Sequence, residues 1–62
     1  MKKYVAGFML KYGDQCIRSY KSKSAAKRAV ENARRNFQAP MRFEAFIDEL
    51  DNGSRKTIHE EY

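Results

Sequence analysis

The sequence predicts an α+β fold, ββαββ in chain order: a mainly antiparallel four-stranded sheet with one helix packed on one face. Three observations predict it. Apolar and aromatic residues dominate Tyr4–Tyr12 and alternate with polar ones along Met41–Leu50. Between them Ala26, Ala29, Val30, Ala33 and Phe37 recur at helical spacing. Asn52-Gly53 is the strongest short hairpin signal a chain can carry, because a type I′ turn needs positive φ at both positions.

The first strand, Tyr4–Tyr12, is followed by Gly13-Asp14, and Gly in the first position of a two-residue loop suits a type II′ turn. That register pairs Leu10 with Ile17, Phe8 with Ser19 and Met9 with Arg18. It places Ala6, Phe8, Leu10 and Ile17 on one face, and Val5, Met9, Cys16 and Tyr20 on the other.

The helix is predicted near Ser24–Phe37, capped by Ser22 or Ser24, whose hydroxyl accepts a free amide of the first turn. Its apolar stripe is mostly alanine, so it can lie close to a sheet. Lys27, Arg28, Glu31, Arg34 and Arg35 fill the opposite arc, and Glu31 is spaced to pair with Lys27 and Arg35. Pro40 marks the end of the connection that follows.

In the last hairpin Met41, Phe43, Ala45 and Ile47 face one way and Arg42, Glu44, Phe46 and Asp48 the other. The Asn52-Gly53 turn then pairs Ile47 with Ile58, Phe43 with Tyr62 and Glu49 with Lys56. His59 is expected opposite Phe46, and Cys16 beside Lys11, each as an ordinary strand residue.

The bulk numbers bound the function. Sixty-two residues make one small domain, 1–62, and a chain this short buries only ~60% of its unfolded surface. One cysteine forms no internal disulfide, which fits a reducing cytoplasm. Lys11 ends the apolar stretch Tyr4–Leu10 before it resembles a secretory signal, and no run approaches the ~20 apolar residues of a membrane span. Charge is uneven: residues 1–36 hold ten Lys/Arg and two acids, residues 37–62 three Lys/Arg and six acids. The basic part should attract polyanions.

Two resemblances attach to these residues. Tyr20-Lys-Ser-Lys-Ser-Ala-Ala, with Val30, Ala33 and Asn36, resembles the strand-helix segment of the small YegP-like family of unknown function, and Arg42-Phe43-Glu44 with Asn52-Gly53 resembles the start of that family's next repeat. That resemblance implies the local fold and a tendency to dimerise. The hairpin followed by a Ser-Lys-x-x-Ala-type helix is similar to arm-type DNA-binding domains of phage integrases.

Phosphate-cradling loops, nucleophile elbows and Cys-x-x-Cys pairs are missing from the sequence, and the single His and single Cys share no metal-ligand spacing. No enzyme activity, cofactor or metal is therefore expected. The basic segment carries the first functional expectation, a small nucleic-acid-binding protein in which Lys21, Lys23, Lys27, Arg28, Arg34 and Arg35 meet phosphates and Tyr20 adds stacking. The alternative is an interaction module, such as a phage- or plasmid-type inhibitor or adaptor of an acidic host protein. One helix covers only one sheet face, so Val5, Met9, Cys16 and Phe46 are expected to form an interface that a partner or a homodimer covers.

Overall fold

The computed structural model describes residues 2–11, 14–38 and 42–62. The chain order is β1 (Lys2–Lys11), β2 (Asp14–Tyr20), α1 (Lys23–Asn36), β3 (Ala45–Asp51) and β4 (Ser54–Glu61). The strands form one sheet in the order β2-β1-β3-β4, and each neighbouring pair is antiparallel. The predicted α+β class and ββαββ order therefore hold. Since β2 and β3 both oppose β1, they run parallel to each other, and α1 makes the crossover between them.

The core forms where α1 lies on the sheet, chiefly over β1. Tyr4, Ala6, Phe8, Ala45 and Ile47 meet Ala26, Val30 and Ala33 there. Ala6 and Ala26 are fully buried, so the helix approaches the central strand with no long side chain between them. Ile47 and Val30 are the largest fully buried side chains, each contributing about 1.5–3 kcal/mol relative to exposure. Beyond the C-terminus of α1, the Phe37 ring packs edge-to-face on Phe43, centroids 5.3 Å apart.

The predicted helix is displaced by one residue. Ser22 is the cap, its Oγ accepting from the Ala25 amide at 3.1 Å, and Phe37 is already extended, at φ −72°. Asn52 and Gly53 have φ of 49° and 84°, as the predicted turn requires. The expectations for Tyr12, Gly13, Pro40 and Met41 fall outside the described residues.

The predicted register of the first hairpin is corrected. Gly7 pairs with Ile17, Phe8 with Cys16, Met9 with Gln15 and Val5 with Ser19, in place of Leu10–Ile17, Phe8–Ser19 and Met9–Arg18. Asp14 belongs to β2 and pairs with Lys11, and the register slips once more between Met9 and Lys11. The total shift is odd, so every β2 side chain changes face. Cys16 and Tyr20 pack at the edge of the helix-covered core, and Ile17 moves to the uncovered face, 64% exposed. Cys16 thus lies beside Phe8 rather than Lys11.

Phe46, the β3 partner of Gly7, covers β1 on the side of the sheet away from α1. Its ring lies across Gly7 on the uncovered face, and a Cβ on Gly7 would collide with it, 2.6 Å from Cζ. A glycine in a central strand weakens it, and a cross-strand aromatic that covers the gap restores contact.

The second hairpin holds the predicted Glu49–Lys56 pair, but Ile47 pairs with His59 and Phe46 with Glu60, because the register shifts between Ile47 and Asp48. That irregularity leaves Ile58 as the extra residue, packed against the core edge. The predicted Ile47–Ile58 and Phe43–Tyr62 pairs are therefore not formed: Phe43 precedes β3 and joins Phe37 instead.

Candidate nucleic-acid interface

The local sequence turns the basic residues of α1 outward. Ala26, Val30 and Ala33 face the sheet, so at 100° per residue Arg28 and Arg35 occupy the outer surface. Lys23, Lys27 and Arg34 lie on the flank nearest β4, and Ala29, Asn32 and Asn36 on the flank nearest β2. Lys21, Lys23, Lys27, Arg28, Arg34 and Arg35 are all exposed. The first turn contains no acid, so Lys21 and Lys23 sit uncompensated at the positive end of the helix dipole. Arg34 and Arg35 in the last turn complement that dipole.

Arg34 differs from the other five. Its Nε and Nη2 donate to Glu61 Oε1 and Oε2 at 2.8 and 2.5 Å, and His59 Nε2 lies 2.9 Å from Oε2. The hydrogen bond from Arg34 holds the Glu61 carboxyl at about 2, against the opposing effect of burial and with help from His59. Arg34 therefore ties the end of α1 to the end of β4. Among the described residues, Lys21, Lys23, Lys27, Arg28 and Arg35 make no ion pair. Glu31 pairs with neither Lys27 nor Arg35, contrary to its spacing, and acts instead as a weak attraction on Arg34.

Tyr20 stands at the end of β2, opposite Tyr4, on the side that faces the helix. Burial raises its pKa, the neighbouring Cys16 adds to this, and Arg18 opposes it. Because α1 sits over β1 and its flank is alanine, a groove of about 320 Å³ stays open between the helix and the edge strand. Phe8, Leu10, Ala29 and Ala33 give it apolar walls, and Arg18, Tyr20, Asn32 and Asn36 give it polar ones. Sequence reasoning missed Arg18, Asn32 and Asn36 as site residues. The spacing of the two asparagines, one helical turn apart, was the available signal.

The other sheet face carries the expected interface residues Val5, Met9 and Phe46, while Cys16 lies on the helix side. Met9 is buried, and Val5 and Phe46 are half-buried. A groove of about 350 Å³ runs past Met9, Ile17, Phe46 and Tyr62 and is bordered by Glu44 and Glu60. Asp48 is buried at the middle of this face. Burial acts to raise its pKa, but hydrogen bonds from Thr57 Oγ1 at 2.7 Å and Arg55 Nε at 2.5 Å, with the Arg55 charge, hold it below the usual value.

Among the described residues no group of three or more His, Cys, Asp or Glu is placed to hold a metal ion, and no helix is long and apolar enough to cross a membrane. No family model matches the chain, and neither the curated proteins nor the solved structures offer a significant match.

Proposed function

We propose that this chain is a small non-enzymatic accessory protein that binds nucleic acid through the phosphate backbone, with Lys21, Lys23, Lys27, Arg28 and Arg35 as the contacting cations. One observation carries the reading: these five cations are exposed on one helix and its lead-in and have no carboxylate partner among the described residues. The free acids Glu44 and Glu60 border the groove on the far side of the sheet. A polyanion approaching α1 therefore meets a surface on which these five cations outnumber the one acid of the helix, Glu31. Arg34 is left out of the contacting set because its Nε and Nη2 donate to Glu61, which neutralises its charge. A reducing, cytoplasmic setting suits the half-buried free thiol of Cys16.

The experiment is a titration of fluorescent oligonucleotide with the wild type, an Arg28→Glu/Arg35→Glu variant and an Arg34→Gln variant. The double variant should weaken binding on the order of tenfold or more for every sequence, since phosphate contacts carry no base information. Arg34→Gln should leave affinity nearly unchanged. Equal affinity for the wild type and the double variant defeats the reading. If the wild type binds no nucleic acid but captures an acidic protein, the same cations serve a protein partner.

The uncovered sheet face favours a second reading alongside the first, contact with protein. Ile17 and Tyr62 are 64% and 73% exposed around the half-buried Val5 and Phe46. A homodimer, or a host protein targeted by an inhibitor or adaptor, would cover this patch. Sedimentation of the wild type beside Ile17→Lys tests it: a concentration-dependent mass that the substitution removes supports self-association.

A further inference from the structure

We infer that the groove between α1 and β2 is a base pocket, so that the nucleic acid engaged is a single strand with a base turned into the protein. This rests on the phosphate-binding reading and adds a ligand class and a site to it. The argument begins with packing. The helix is centred on β1, and Ala29 and Ala33 are too short to reach the edge strand, so the flank stays unfilled. At about 320 Å³ the opening falls in the small-ligand range of about 300–1,000 Å³. Its apolar wall is accessible, with Leu10 48% exposed.

The chemistry of the walls selects the occupant. Asn32 and Asn36, one turn apart, each present an amide that both donates and accepts, which is what the edge of a base requires. Neither makes a hydrogen bond to another described side chain. Tyr20 offers an aromatic ring and Arg18 a planar cation, the two kinds of surface on which bases stack. A neutral apolar ligand would leave these groups unused.

The surroundings then favour a base attached to a phosphate chain over a free small molecule. Lys21 follows Tyr20 directly, and Arg28 and Arg35 flank Asn32 on the helix surface at i−4 and i+3. A strand crossing the groove mouth would place its phosphates on these cations while one base enters. A base-paired duplex keeps its bases stacked and offers none for insertion.

The test compares three fluorescent probes of about ten nucleotides: single-stranded DNA, a strand of the same length made of abasic sugar-phosphate, and duplex DNA. Stacking of one base predicts that the normal single strand binds about tenfold tighter than the abasic one. The duplex should behave like the abasic strand. Ala29→Leu, which extends into the groove, should abolish the preference while leaving abasic binding unchanged. Asn32→Ala/Asn36→Ala, on exposed positions, should lower the preference without touching the fold. Equal binding of the normal and abasic strands by wild type overturns the pocket and leaves the phosphate reading standing. Failure to bind any probe at low salt overturns both.

Discussion

Replacing Glu61 by Gln should weaken the fold by about 1 kcal/mol at neutral pH, and the loss should disappear in acid. Glu61 is depressed from 4.5 to about 2 by the Arg34 hydrogen bond, which outweighs burial, and by His59. Unscreened, that depression would correspond to roughly 3 kcal/mol. The Arg34 side chain is 46% exposed and Glu61 23%, so solvent screening reduces this to about 1 kcal/mol, the upper range for surface pairs. The sign follows from linkage. A carboxylate with a lowered folded pKa stabilises fully above its unfolded value of 4.5, and that contribution is lost as pH falls through about 2. Urea denaturation of wild type and variant across this range isolates the contribution of Glu61, because every other carboxylate cancels in the difference. At neutral pH the expected change in Tm is about 6 °C for a domain this small. A difference that stays constant from neutral pH down to about 2 would show that Glu61 acts through packing, and the reasoning would be refuted.

Three further outcomes follow from the packing. Ile47→Ala removes a fully buried side chain opposite the helix and should cost about 2–5 kcal/mol, enough to leave a domain of this size largely unfolded by circular dichroism. Gly7→Ala forces the Phe46 ring off the sheet and should cost about 1–3 kcal/mol, visible in denaturant melts and as a displaced Phe46 ring resonance. Ser22→Ala leaves the Ala25 amide without its cap acceptor and should cost about 1 kcal/mol, read from the thermal midpoint.

The elements were legible because each carries a local signal. Asn52-Gly53 specified its turn, the alanine stripe specified the buried face of α1, and Ser22 its start. What escaped was register, which depends on contacts between elements. In the first hairpin β2 is shifted along β1 by three residues from the expected pairing, which turns its side chains over. In the second hairpin Ile58 is left over by a bulge that alternation alone does not reveal. Those shifts govern the candidate site. The first carried Arg18 and Tyr20 to the helix side, where they wall a groove no linear pattern announced. The cations of α1 were legible by spacing, but the removal of Arg34 from that set depends on Glu61 at the far end of the chain.

The central claim, that unpaired cations around α1 meet a phosphate backbone, is tested most directly by the salt dependence of single-strand binding. If Lys21, Lys23, Lys27, Arg28 and Arg35 each displace a counterion, log affinity against log salt should fall with a slope of about −3.5, at roughly −0.7 per phosphate contact. Arg28→Glu/Arg35→Glu should flatten that slope by about two-fifths. A wild-type slope near zero, or no binding at the lowest salt with the protein folded, would contradict the account.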